Sequence, residues 1–411
     1  MSPAELNAIL EREHPAARAL LSPLGERAAL PLGIPQQAAQ SAHCERQATI
    51  GQITSGTGLP LALPSLAAHF SDLDLRVALL YAPQHGILAL RQAWQEHAST
   101  PDLPVVTCGM THGLSITADL FTAPNRPIVV ATPYWDNYDT IATMRTGAPI
   151  VTYPFYNADH RFNVDGLART LDGIAGPATV LLNFPNNPTG YSPWREEGAA
   201  IVAMLTSRKG PLCVVCDDAY HTLYFDEGMY GKSLFHALAA AADSSRLLVV
   251  KVDGATKELV FFGGRVGFLS FSASGAGSKA LNEKAAAILR GTISSVSAPA
   301  QSVVLAALRS PSIAAEQARV VGVLRTRFKA LKAALTARNL RFHPFNSGCF
   351  ALLPVPDGQD AEAIRHRLIA ECSTGVIAVP AANALRVAFC SIEEADIPDL
   401  VDRLAPLLAR T

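Results

Sequence analysis

Short apolar runs and stretches of helical periodicity alternate through the middle of the chain. The runs predict strands at residues 105–108, 128–132, 179–183, 212–217, 247–252 and 266–271. Runs of about five residues, separated by helical segments, predict an α/β sheet that is mostly parallel. Further on, Val320, Val321, Leu324, Phe328, Leu331 and Leu335 recur near helical spacing, which predicts one long helix over 313–340. A run at 350–353, a helix over about 360–371 and strands at 375–379 and 385–390 complete a smaller α+β lobe entered by that helix. Ahead of the sheet the chain reads as helical to about Leu30 and as Gly/Pro-rich from there to about Pro64. At 411 residues it is too long for one simple core. The pattern therefore predicts a large domain, 65–305, and a small one assembled from 1–64 and 306–411.

Composition narrows the class. Hydrophobic residues make up 49% of the chain and charged residues 17%, below the usual quarter, which favours a large buried core and a substantial subunit interface. A net charge of -1 with no basic cluster gives no reason to expect a nucleic-acid surface. Residues 1–21 interrupt their apolar positions with charges, unlike the core of a signal peptide, and no run of about eighteen apolar residues occurs. No membrane partner is expected, and the expected setting is cytoplasmic. The seven cysteines are scattered and odd in number, so no disulfide scaffold is expected, and neither is a metal site. Cys213 and Cys216 form a Cys-x-x-Cys, but on a predicted strand whose alternation sends the two thiols to opposite faces. Gly275-Ala276-Gly277-Ser278-Lys279-Ala280 loosely imitates a dinucleotide fingerprint, yet no acidic residue follows about twenty positions later, and it reads as a turn.

The chemistry-bearing residues gather at the C-terminal ends of predicted strands, where such sheets bind ligands. Asn183-Phe184-Pro185-Asn186-Asn187-Pro188-Thr189-Gly190 follows one strand and Cys216-Asp217-Asp218-Ala219-Tyr220 closes the next. Gly254-Ala255-Thr256-Lys257 ends a third, with Arg265 eight positions on in Gly263-Gly264-Arg265-Val266-Gly267. Cys108-Gly109-Met110-Thr111-His112-Gly113-Leu114 follows a strand and opens a helix, where backbone amides and the helix dipole favour an anion. Asp217 and Asp218 are neighbours on a strand and point oppositely, so only one of them serves any given site.

These residues and spacings resemble the class I/II aminotransferases of the pyridoxal-phosphate fold-type I group, of the aspartate-aminotransferase-like kind, over nearly the full chain. The resemblance implies a large, mostly parallel sheet domain, a smaller α+β domain, and pyridoxal 5'-phosphate as cofactor. It makes Lys257 the Schiff-base lysine and proton carrier, provided the amine is desolvated enough to lose its proton. Arg265 and the amides of Met110 and Thr111 then face the cofactor phosphate, with His112 read as structural. Asp217 is the partner that keeps the pyridine nitrogen protonated, and Tyr220 and Asn187 hydrogen-bond the ring's phenolic oxygen. In Thr132-Pro133-Tyr134-Trp135-Asp136-Asn137-Tyr138, Trp135 matches the aromatic laid over the cofactor, with Tyr134 as the alternative. Tyr81, in Tyr81-Ala82-Pro83-Gln84-His85-Gly86, matches the tyrosine that reaches the neighbouring subunit's phosphate, implying a homodimer with shared sites.

Arg386 matches the arginine that grips the substrate α-carboxylate, for which a guanidinium fork is suited. Gly58 is the candidate substrate-side glycine, with Gly56 as the alternative. Arg290 loosely matches an arginine that reads a distal carboxylate; the other reading makes it a helix C-terminal residue. One departure stands out, since many relatives carry serine where this chain has Gly254. The activity implied is transfer of an amino group between an L-amino acid and a 2-oxo acid through a Schiff base. A pyridoxal-phosphate lyase (C–S β-lyase-like) or decarboxylase is the alternative on the same residues. A ligand-sensing regulator domain is disfavoured, because no basic helix-turn-helix precedes the match.

Overall fold

The computed structural model describes residues 1–30, 33–56 and 58–409. Its strands are β1 (Arg46–Gln47), β2 (Val105–Cys108), β3 (Ile128–Thr132), β4 (Ile150–Pro154), β5 (Ala178–Asn183), β6 (Leu212–Asp217), β7 (Leu247–Gly254), β8 (Val266–Phe271), β9 (Phe350–Pro354), β10 (Thr374–Gly375), β11 (Ile377–Val379) and β12 (Ala384–Ala388). Seven of them form the main sheet in the order β2-β8-β7-β6-β5-β3-β4. Neighbours from β4 through to β7 run parallel, and β8 alone runs against its neighbours β7 and β2.

Every residue of β5, β6 and β8 is buried, because helices cover both faces of the sheet. The alternation is plain in β6: Val214 and Cys216 enter one core, and Cys213 and Val215 the other. Each fully buried Val or Leu contributes about 1.5–3 kcal/mol to this packing. Cys213 and Cys216 thus lie on opposite faces as buried, unpaired thiols.

The structure departs from the pattern-based expectation in several places. The edge strand β4 is only half-buried and ends in Pro154, so it offers no continuous apolar run. The N-terminal helical stretch is three short helices, Pro3–Glu13, Pro15–Ala19 and Pro23–Arg27, each begun by a proline that suits the first helical turn and cannot sit mid-helix. The segment from Gly275 is not a turn; it opens the helix Gly275–Ile293.

The long helix runs Ile313–Ala337, burying Val320, Leu324, Phe328, Leu331 and Leu335, and stops before Asn339 at φ 52. Beyond it, β9, β11 and β12 form an antiparallel sheet in which Arg386 pairs with Leu352. The expected strand at 375–379 is split into β10 and β11, and the last strand ends at Ala388 in a 3-10 turn, Phe389–Ser391. The Gly/Pro-rich stretch hides a helix, Ile34–Gln40, and β1, which pairs with β10. Gln37 exchanges two hydrogen bonds with the backbone of Ala378, at 3.2 and 2.7 Å. These contacts stitch residues 34–47 to the C-terminal lobe. Among the described residues no helix is long and apolar enough to cross a membrane.

Candidate active site

Where β5, β6 and β7 end, a cavity of about 270 Å³ opens between the main sheet and the small lobe. Lys257 enters it from the helical turn Ala255–Glu258, directly after β7, with Nζ 5.0 Å from the centroid of the Tyr220 ring. Burial lowers the pKa of this amine, against the opposing pull of Asp217, so its neutral form is more accessible than on a surface lysine.

Asp217 closes β6 and is 3% exposed. Its Oδ2 accepts from the Tyr138 hydroxyl at 2.6 Å and its Oδ1 from the Ala219 N–H at 3.2 Å. Burial raises its pKa to about 6, a rise restrained by the Tyr138 bond and by Lys257. Asp218 turns the other way, to an ion pair with buried Lys251 at 2.8 Å, and Lys251 also meets Asp253 at 2.5 Å. Strand alternation therefore gives the cavity one carboxylate and the core the other.

A chain of hydrogen bonds ties this end of the cavity to the small lobe. Asn183 donates to the Asp217 carbonyl at 2.9 Å and accepts from the Asn187 N–H at 2.8 Å. Asn187 Oδ1 accepts from Arg386 at 2.8 Å, which leaves the Asn187 NH₂ as a donor at the cavity wall. Arg386 donates its other terminal nitrogen to the Thr49 carbonyl at 2.6 Å and lies 4.3 Å from the Phe350 ring centroid. Its Nε is buried without an acceptor. Phe350 in turn meets Tyr220 edge to face at 5.4 Å.

The opposite end suits an anion. The helix Gly109–Phe121 starts there, bringing Met110 and Thr111 to the cavity wall. Gly109 has φ +71, which favours glycine, and a Cβ on it would come 2.5 Å from the Arg265 guanidinium and displace it. Thr256 Oγ1 is buried, lacks a partner and belongs to a wall residue of the same cavity. His112 is tied into the local structure, accepting from the Cys108 N–H at Nδ1 (3.2 Å) while Nε2 meets Thr292 at 3.2 Å.

Gly254 explains its own departure from serine. A Cβ there would sit 2.7 Å from the Val266 carbonyl oxygen and 2.8 Å from Gly267 Cα, across the β7–β8 pair. The residues present fit pyridoxal phosphate: an unpartnered hydroxyl, a guanidinium and a helix start for the phosphate, a lysine at mid-cavity, and a buried carboxylate for the ring nitrogen.

Trp135 borders the cavity, whereas Tyr134 directs its hydroxyl to Asp139 at 3.2 Å and lies outside that lining. Three expected residues are not brought in. Gly58 is exposed and away from the cavity, and the alternative Gly56 is exposed and donates to Glu393; Ile50 and Gly51 border the cavity instead. Arg290 is exposed in the last turn of Gly275–Ile293, outside the cavity of its own chain. Tyr81 is 94% exposed, following exposed Leu79 and Leu80, and it does not border this cavity either.

Tyr138, Thr256 and Asn183 were not singled out by the sequence pattern. The signal available for Tyr138 is its position three residues after Trp135, one helical turn on, and the two rings meet at 5.5 Å.

Residues 49–404 match the family model described as aminotransferase class I and II. Among curated relatives, 1-aminocyclopropane-1-carboxylate synthase 6 of Oryza sativa subsp. japonica is 25% identical over 81% of this chain and 64% of its own length. A probable N-acetyl-LL-diaminopimelate aminotransferase of Bacillus subtilis (strain 168) is 25% identical over 46% of this chain and 47% of its own. The chain thus spans roughly half to two-thirds of these relatives' lengths. Of solved structures, an aminotransferase from Anaerococcus prevotii superposes with a TM-score of 0.78 at 22% identity, covering 90% of this chain and 94% of that one. The aspartate aminotransferase of Thermus thermophilus, solved with maleate, gives 0.77 at 19% identity over 94% and 99%.

Proposed function

This chain belongs to the class I and II aminotransferase family, and from that premise we propose that it transfers an amino group between an L-amino acid and a 2-oxo acid, using pyridoxal phosphate. One observation carries the reading: a desolvated lysine, a buried carboxylate with a raised pKa and a buried arginine converge on one cavity. When bound, pyridoxal phosphate supplies an aldehyde that condenses with amines and an electron-poor ring that draws charge from the α-carbon. Arg265, Thr256 and the amides of Met110 and Thr111 hold the phosphate. Trp135 would cover the ring, and Tyr220 and the Asn187 NH₂ would be the donors for its phenolic oxygen. Arg386 would hold the substrate α-carboxylate through N–H groups not spent on Asn187 and Thr49. Lys257 would hold the cofactor through its amine and, once freed, would take up and give back the substrate's α-proton, a transfer favoured by its lowered pKa. Asp217 would be the carboxylate that keeps the ring nitrogen protonated.

The exposed apolar side chains of Leu75, Val77, Leu79, Leu80 and Tyr81, close together in sequence, support a homodimer in which Tyr81 serves the partner's site. The unpaired thiols support a cytoplasmic setting.

The test loads the protein with pyridoxal phosphate, adds each amino acid in turn, and follows loss of visible absorption and release of 2-oxo acid. Borohydride reduction and peptide mapping should place the pyridoxyl group on Lys257, and an adduct on Lys251 or Lys279 would refute the assignment. A relative named as a synthase rather than an aminotransferase keeps a second reading in view, a lyase-type outcome from the same residues. Pyruvate with ammonia or a thiol from a single amino acid would identify it.

A further inference from the structure

Tyr138 is 1% exposed and its hydroxyl is spent on Asp217. A buried phenol must find an acceptor, and many carbonyls would serve; this one takes a carboxylate oxygen at 2.6 Å, in the range of a charge-assisted bond. Its ring is fixed by Trp135 at 5.5 Å edge to face and by Tyr134 stacked at 6.2 Å. The short helix Asn137–Asp139 that carries it runs on into a wide π-helical turn, Thr140–Met144, a feature frequent at functional sites. The carboxylate has about four lone-pair sites. Tyr138 fills one on Oδ2 and the Ala219 N–H one on Oδ1, so Asp217 is held from two sides with capacity left toward the cavity.

We propose that Tyr138 is a positioning residue: its hydroxyl aims Asp217 at the cofactor's ring nitrogen and keeps the carboxylate ionised, so that the nitrogen carries the proton the two groups share. The inference rests on the cofactor reading above. A donor on the carboxylate makes it a weaker base, and a weaker base leaves the shared proton on the ring, where it strengthens the electron sink. The other ionisable groups facing Asp217 are Lys257 from the turn after β7, Tyr220 from the turn after β6, and Asp218, which is drawn away by Lys251. None of them hydrogen-bonds the Asp217 side chain among the described residues.

Tyr138→Phe keeps the ring and removes the hydroxyl. In the cofactor-free chain, the carboxyl carbon-13 signal of Asp217 should titrate above its native midpoint of about 6. Replacing Tyr138 by 3,5-difluorotyrosine, a stronger donor with intact packing, should move the midpoint the other way and serves if the phenylalanine variant fails to fold. In protein loaded with nitrogen-15-labelled pyridoxal phosphate, the Phe variant's ring nitrogen should shift toward the neutral-pyridine signal, and cofactor dissociation should strengthen about tenfold or more. An unchanged midpoint in both variants, or an unchanged ring-nitrogen signal, overturns the proposal. A native chain that takes up no pyridoxal phosphate refutes the cofactor reading, while the carboxyl titration still decides what Tyr138 does to Asp217.

Discussion

Gly254→Ser installs the side chain that the family resemblance leads one to expect, and it should damage the protein. The backbone is no obstacle, since Gly254 is extended at φ 163 and ψ 176, a conformation any residue adopts. Contact is the obstacle. The new Cβ would lie 2.7 Å from the Val266 carbonyl oxygen and 2.8 Å from Gly267 Cα, with Met110 Cγ at 3.3 Å. Comfortable contacts begin near 3.5 Å, and the two closest atoms are main chain that cannot rotate away. Strands β7 and β8 must part where Gly254 faces Gly267. Overpacking of this kind costs about 1–3 kcal/mol. The hydroxyl's bond to a phosphate is worth a comparable amount, but only in loaded protein. Cofactor-free protein should therefore show the full loss, a fall of about 2–4 °C in the melting midpoint per kcal/mol for a domain of 150–250 residues. Gly254→Ala should match it, because the Cβ is responsible. The assay is thermal unfolding of both variants with and without pyridoxal phosphate. A serine variant that melts at or above the native midpoint without cofactor would refute the packing argument.

Asp217 also predicts a pH dependence. Its folded pKa of about 6 exceeds the ordinary 3.8, so the folded chain binds more protons between those values. That contribution to stability is complete below about pH 4 and is lost as pH rises through 6, a change of about 3 kcal/mol. Urea unfolding of cofactor-free Asp217→Asn should lack this slope, and an identical slope in both proteins would contradict it. Arg386→Lys keeps the charge but abandons the Asn187 oxygen and the Thr49 carbonyl. Efficiency should fall by about two orders of magnitude, in line with the 2–5 kcal/mol of breaking a buried, hydrogen-bonded charge pair; a loss under tenfold in steady-state kinetics would count against it. Tyr81→Phe should weaken cofactor retention with the melting midpoint unchanged, and a fully active monomer in sedimentation would rule out the shared site.

Much of this was legible because chemistry in an α/β sheet collects where parallel strands end. Asp217 closes a run that the pattern marked as a strand, Asn187, Tyr220 and Lys257 each follow one, and the cavity brings them together with Arg265 and Arg386. Strand periodicity also separates Asp217 from Asp218. Tyr138 was not legible: its partner is 79 residues away, and no periodicity links a residue on one strand end to one beside another. Ile50 and Gly51 lie in a stretch without periodicity, held by β1 and the helix Ile34–Gln40 rather than by a run of their own. Gly58, the more obvious turn glycine by composition, does have φ +75, but at an exposed turn away from the cavity.

Lys257 and Arg265 share one connection, the stretch from Ala255 to Arg265 that joins β7 to β8. Its two ends are clamped, because Gly254 must face Gly267 and Gly267 must pass close to the backbone of Gly109 and Met110. Surface loops ordinarily accept insertions and deletions, and this one should not. Adding or removing a single residue would slip β8 by one position and turn its side chains to the wrong faces of the sheet, or else drag one of the two cations out of reach of its ligand. In a library of length variants, this stretch should be a silent gap, with the exposed turn around Gly58 tolerating what it refuses.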